Sequence, residues 1–376
     1  MLAPGCGAAP AKTAVDAPKA AASAERVEVP RTIVTPTSET NVAEMFSRAR
    51  VAYGERRFAD AAKDFDRIVL LDPDGPYAKE SLFDAAASHD QGGELDAAAA
   101  RYQEVARRFP SDPLADESLV RAVRLLAYRE RFPEAGAAAD RLLSHVTALP
   151  PLERIVAYGG KALALVTSSD PDAAAYFIEK GRDVVETERL DAAGILPKDL
   201  AALYFALGEL RRVRGERVRF DPVPARFGDV LEQRCQLLLD AQSAYSDAMR
   251  AYDAHWSAMA GYRVGELYQK LHEELMRVPP PAVADTKDKA QLFEGAMRVR
   301  YSVLLRKGLT MMEHTVALSD RTGEHSAWVD RAAASKASLE RAIQDEEAAI
   351  ARLPYSRADL EAALDRLQKT ARQTPR

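Results

Sequence analysis

Two cysteines in 376 residues, Cys6 and Cys235, rule out a disulfide framework. No apolar run approaches the roughly 18 residues that a bilayer span requires. The six histidines are scattered, no two of them four apart, and His272-Glu273-Glu274 has no second histidine to complete a zinc-binding H-E-x2-H. Glycine-rich phosphate loops and a G-x-S-x-G nucleophile elbow are also missing, so no enzyme, cofactor or metal site is expected. The net charge of −5 and the absence of interleaved aromatics leave no electrostatic footprint for nucleic acid. Runs of Val, Ile and Thr are rare, which argues against a sheet.

What is present is alanine, and a repeat. Much of the 47% apolar content is alanine, which favours close-packed helices over a thick core. The pattern F-x2-A-x3-F-x2-I-x4-P from Phe58 to Pro73 returns as L-x2-A-x3-Y-x2-V-x4-P from Leu95 to Pro110. A third pass, Phe132, Ala135, Ala139 and Leu142, keeps the offsets without the proline. The copies are 37 residues apart, and Pro73, Pro76 and Ala78 in one connector recur as Pro110, Pro113 and Ala115 in the next. A fixed period of this size is the mark of stacked helix-turn-helix units.

These residues resemble the tetratricopeptide repeat (TPR), whose usual period is about 34. In that template Phe58, Leu95 and Phe132 open the second helix of each pair. Ala61, Ala98 and Ala135 let the two helices approach, and Phe65 and Tyr102 fill the space between repeats. First helices fit as Met45, Ala49 and Ala52, then Leu82, Ala86 and His89, then Leu119, Val123 and Leu126. The lengthened connectors are similar to the extracytoplasmic branch found in Tol-Pal accessory proteins and the outer-membrane assembly lipoprotein BamD. The resemblance covers 42–143 and implies an all-α fold, a TPR-like helical-hairpin solenoid. It also implies a concave groove lined by first helices. Carried over by position, that groove holds Phe46, Arg50 and Tyr53, then Glu80, Phe83 and Asp90, then Glu117, Val120 and Arg124. Met45 and Leu82 already fill the packing positions, so Phe46 and Phe83 read as surplus apolar surface fit to anchor a partner.

The amino terminus points to an envelope setting. Leu2-Ala3-Pro4-Gly5-Cys6-Gly7 resembles a bacterial lipobox with Cys6 as the acylated residue, although Pro4 is atypical. The basic and apolar stretches that should precede such a box are absent, so either the start lies further upstream, or the chain was trimmed, or Cys6 is an accident; the segment that follows favours the first. Residues 8–40, rich in Ala, Pro, Lys, Ser and Thr and without apolar period, read as a flexible tether. Gly7 after the cysteine favours the outer membrane, at its periplasmic face.

Beyond Pro150 the period degrades but the helical pattern persists. Residues 154–167 and 172–188 read as a fourth pair, and Leu203, Ala206, Leu207 and Gly208 as the start of a fifth. The proline-bearing connector from Arg217 to Arg226 marks a boundary, dividing the chain into 1–40, 41–149, 150–225 and 226–376. Within 229–278 a heptad seam runs through Leu231, Cys235, Leu238, Gln242, Tyr245, Met249, Tyr252, Trp256 and Met259. It fits packing within the chain, as one long helix or two broken near Asp253, or contact with a second copy. Cys235 on it reads as a small buried hydrophobe. Val264-Gly265-Glu266-Leu267-Tyr268 matches a TPR first helix. Residues 286–319 and 325–352 form a last pair around Arg321-Thr322-Gly323, and Ser356 with Asp359 caps a closing helix.

Arg211, Arg212, Arg214, Arg217 and Arg219 form the one dense basic run. It reads as a solvated helix end, with an acidic partner segment or lipid head groups as the alternatives. Together these features predict a non-enzymatic scaffold that holds other envelope proteins in its groove and is tethered to the outer membrane through Cys6. The alternatives are a β-barrel assembly factor of the BamD type, a subunit of a trans-envelope motility or secretion machine, or a soluble cytoplasmic TPR adaptor.

Overall fold

Each 37-residue repeat becomes two antiparallel helices whose ends fall where the sequence punctuates them. The computed structural model describes residues 39–168, 170–192 and 196–363. Cys6 and the tether as far as residue 38 lie outside them. The first pair is α1 (Glu39–Gly54) and α2 (Phe58–Leu71), the second α3 (Ala78–Gln91) and α4 (Leu95–Arg108), the third α5 (Pro113–Tyr128) and α6 (Phe132–Leu143). Second helices open at Phe58, Leu95 and Phe132, as the period requires. Ala61, Ala98 and Ala135 are all fully buried, so the small residue of each repeat sits where its two helices touch. α5 starts on Pro113, which has no N–H to leave unpaired, and Asp112 before it accepts from the Leu114 N–H at 2.9 Å.

The turn inside each pair depends on one backbone position. Arg56, Gly93 and Glu130, again 37 apart, all take positive φ of 61°, 80° and 58°. Only Gly93 does so without a Cβ penalty. The other two hold a strained conformation because the hairpin geometry dictates it.

The pattern continues through α7 (Pro151–Thr167), α8 (Pro171–Thr187), α9 (Leu200–Glu216), α10 (Phe227–Met249), α11 (Ala254–Met276), α12 (Lys287–Thr322) and α13 (Ala327–Ala351). A further helical stretch begins at residue 357, where Ser356 and Asp359 cap each other reciprocally. The α12–α13 turn runs through Gly323 at φ 73°, the left-handed conformation that suits a helix C-terminus. No strand occurs among the described residues, and those from Thr40 onward belong to one compact unit. Successive helices pack on each other, and odd-numbered ones also touch directly: α5 on α7, α7 on α9, α9 on α11, α11 on α13. The odd helices from α5 to α13 thus form one row, as first helices do in a TPR-like solenoid.

The heptad seam does not make one helix or an intermolecular contact surface. It divides into α10 and α11, with Asp253 capping the second by accepting from the Trp256 N–H at 3.1 Å. Leu231, Leu238, Tyr245, Trp256 and Met259 are buried inside the chain, and Tyr252 is turned out to solvent. Self-association through 231–259 is therefore corrected to intramolecular packing, since α9 and α11 already cover the seam. Its polar members find partners there: Tyr245 Oη donates to Glu209 at 2.7 Å and Tyr268 Oη to Gln242. Cys235 is half-buried, and burial pushes its thiol up.

Candidate functional site

Three first helices, α1, α3 and α5, carry the residues predicted to line a groove, and side-chain packing sorts them into three kinds. Phe46 is half-buried, set edge-on against Phe65 at 5.7 Å and tilted against Tyr77 at 4.9 Å. Phe83, one repeat on, stands edge-on to the buried Tyr102 at 5.7 Å. Both rings pack against the second helix of their own pair, so they carry more of the helix-to-helix contact within a repeat than the template allots them. Val120, at the same repeat position, is 2% exposed and belongs to the core. Its place in the groove is corrected, because it packs in the buried core cluster with Tyr102, Leu119 and Val123.

Arg124 is exposed but engaged. It donates to both carboxylate oxygens of Asp199, at 2.7 and 3.0 Å, tying α5 to the residue that precedes α9. A bidentate pair of this kind is geometrically fixed, so the third repeat's part of the groove is bridged by the chain itself. Glu117 accepts from Arg121 at 2.7 Å. Arg121 also donates to Tyr102 Oη at 3.2 Å and lies 5.4 Å from the Phe83 ring. Burial pushes the Tyr102 hydroxyl up to about 12, against the opposing pull of Arg121.

The remaining positions are open. Arg50 is exposed, with its guanidinium 6.0 Å from the Phe46 ring. Tyr53 is exposed and edge-on to Phe58, and Glu80 is exposed with Lys79 at 3.4 Å. Asp90 is half-buried. Burial raises its carboxyl above the ordinary aspartate range, opposed by the charge of Arg121.

Two residues of this face escaped the template. Asp84 is half-buried with its carboxyl raised by burial, opposed by Arg50. Ala87 occupies the repeat position of Arg50 and Arg124. At 100° per residue Asp84 and Asp90 flank Ala87 on α3, one toward Arg50 and the other toward Arg121. Neither carboxylate has a hydrogen bond or ion pair among the described residues. The signal was present: Asp84 and Arg121 are 37 apart with opposite charge, and a small residue separates two arginines in register.

A second cluster of charge lies in the core. Glu209 of α9 is 3% exposed, accepts from Tyr245 Oη at 2.7 Å and from Arg212 at 2.7 Å, and forms an ion pair with Arg263 at 2.8 Å. Burial would raise this carboxyl, but Arg263 and Arg212 overcome it and hold it below the ordinary range. Every oxygen is engaged, so the cluster acts as a clasp of α9, α10 and α11 rather than as a reactive site. Nearby, Trp328 of α13 lies between the guanidiniums of Arg263 and Arg331, at 5.0 and 4.4 Å. Its Nε1 donates to Glu130 at 2.6 Å, 198 residues away in the α5–α6 turn. On the same side His255 stacks on Tyr128 at 4.0 Å and pairs with Glu324 at 3.0 Å.

The arrangement defines a TPR-like helical-hairpin array, with one open inner face on its first repeats and a carboxyl-terminal half folded back on the third. No protein-family model matches the chain, and no curated protein does. Among solved structures it is similar to a tetratricopeptide repeat protein from Parabacteroides merdae, at 10% identity and a TM-score of 0.39, over 78% of this chain and 99% of that one. It is also similar to the TPR2AB-domain:pHSP90 complex of yeast Sti1, at 14% identity and a TM-score of 0.23, over 84% of this chain and 100% of that one. Likenesses this distant say nothing about a ligand.

Proposed function

We propose that the chain is a protein–protein interaction scaffold that binds a partner segment on α1, α3 and α5. We propose further that it is a lipid-anchored member of a bacterial envelope complex at the periplasmic face of the outer membrane. The observation that carries the first reading is the pair Asp84 and Asp90. Two half-buried carboxylates that no hydrogen bond or ion pair engages among the described residues flank Ala87, with only the longer-range charges of Arg50 and Arg121 opposing their burial, and so leave acceptors open on this face. A basic side chain or backbone amides of a bound segment would satisfy them, with Tyr53 and Arg50 at the edge of the site.

A photo-cross-linking residue at Tyr53 should capture a partner in cells of the source organism. The same residue at Leu70, 81% exposed on α2, should not. Capture at both positions or at neither removes this face as the binding site. The envelope reading rests on Leu2 to Gly7. Expressed with a lipoprotein signal peptide placed ahead of Leu2, the protein should take up labelled palmitate and sediment with outer membranes, and Cys6→Ser should release it. Wild-type protein that stays soluble and unlabelled removes the anchor from the proposal.

A further inference from the structure

Helices α9 to α13 run alternately up and down, which gathers their connectors at two rims. The pairings fix the directions: Gly215 lies beside Arg234 and Gly208 beside Tyr245, so α9 and α10 are antiparallel. Arg234 meets Glu274 at 3.4 Å while Gln242 meets Tyr268, so α10 and α11 are too. Gly261 faces Thr315 and Gly265 faces Met312 across α11 and α12, and Gly295 faces Leu353 across α12 and the end of α13. The connectors 217–226, 277–286 and 352–356 therefore share one rim. Tyr355 Oη, which donates to the Asp288 carbonyl at 3.1 Å, closes the last two together.

That rim has an unusual composition. Its three connectors hold five arginines, Arg217, Arg219, Arg226, Arg277 and Arg352, against two aspartates, Asp221 and Asp285. All five arginines are exposed. Arg226 pairs with Asp229, and Asp285 is taken by Lys289 at 2.7 Å. Arg217, Arg219, Arg277 and Arg352 have no acidic partner among the described residues. Between them two apolar tips point into solvent, Val223 at 43% and Val283 at 42% exposure, on loops stiffened by Pro222 and Pro224 and by Pro279 to Pro281.

We infer that this rim docks on an anionic lipid surface, with the arginines among the head groups and Val223 and Val283 at the acyl boundary. The spacing decides between a membrane and an acidic protein. Alternate connectors of a helical array lie two helices apart, roughly 20 Å at ordinary interaxial distances. Isolated apolar tips that far apart form no buried hot spot of the kind a protein interface needs. A laterally mobile surface of negative charge needs no such pocket and can be met by one connector at a time. Each arginine near such a surface is worth about a fivefold gain in partition, and the gain falls with salt.

The test uses the full chain with Cys6→Ser, so that acylation plays no part and failure of the anchor reading is read separately. The chain should float with mixed phosphatidylglycerol/phosphatidylcholine vesicles and stay behind with pure phosphatidylcholine. Arg217→Glu with Arg219→Glu should weaken binding at least about tenfold, with unchanged circular dichroism. Val223→Ser with Val283→Ser should weaken it at fixed charge. Lys63→Glu with Arg67→Glu, the same charge change on exposed positions of α2, should have little effect. Equal loss in that control, no binding by the starting chain, or binding to polyglutamate but not to vesicles would each overturn the inference. The last result would give the rim to an acidic protein.

Discussion

Asp84 and Asp90 show how a single residue's energetics can separate folding from binding. Burial raises both carboxyls, so the folded state holds their protons more tightly than the unfolded chain does. Such a group favours folding fully below its unfolded value, and that contribution is lost as pH rises through the folded one. At neutral pH both residues therefore weigh against the fold. Asp84→Asn with Asp90→Asn should raise the melting temperature slightly at pH 7, and the gain should vanish near pH 3, where the aspartates are protonated anyway. The same double variant should lose the cross-link from Tyr53. A lower melting temperature at pH 7 would mean that the carboxylates support the fold and that the site lies elsewhere. Position counting along α1, α3 and α5 named Arg50, Tyr53, Glu80 and Asp90, of which the first three are exposed. It missed Asp84, one residue off the counted row. It also placed in the groove Val120, which is buried in the core, and Arg124, which Asp199 holds. Nothing in a local repeat announces a partner 75 residues away.

At the scale of elements the period carried most of the information, because each hairpin is made by neighbours in the chain. Ala61 and Ala98 are fully buried at the crossing of their helices, and replacing either with Leu should cost about 1–3 kcal/mol. Gly136 is a sharper test, since two effects oppose each other there. Alanine is the better helix former by about 1 kcal/mol. A Cβ at Gly136, however, would stand 2.4 Å from the Ala164 Cβ, where no flexible side chain can give way. Overpacking should win, so Gly136→Ala should lower the urea midpoint, and a rise would show that α6 and α7 can separate without loss. Two features of the elements were hidden. The left-handed turn position is glycine only at Gly93, and with Arg56 and Glu130 in its place the sequence gives no warning of positive φ. The seam from Leu231 to Met259 kept its 3–4 spacing across the α10–α11 break, because both helices bury the same kind of stripe.

For the whole molecule the decisive contacts are those between its halves. Trp328 is 3% exposed and reaches Glu130 across 198 residues, with His255 on Tyr128 and Arg124 on Asp199 reinforcing it. Trp328→Ala should cost about 3–5 kcal/mol. It should also expose the connectors at 250–253 and 323–326 to limited proteolysis before the first repeat is cut. If instead the first repeat is cut first, the halves do not depend on this contact. The first repeat has its own small core, from Met45 to Ile68 with Ala85, and should exchange its amides sooner than α9 to α11, which the Glu209 clasp binds together. An open stack of hairpins behaves as a spring, in which each unit yields to its neighbour's displacement and the array lengthens smoothly under load. A tie between the third repeat and the last long helix turns part of that spring into a closed loop. A pull on the amino-terminal end would stretch only α1 to α4, while everything from α5 to α13 moves as a rigid block until the Trp328–Glu130 tie gives way.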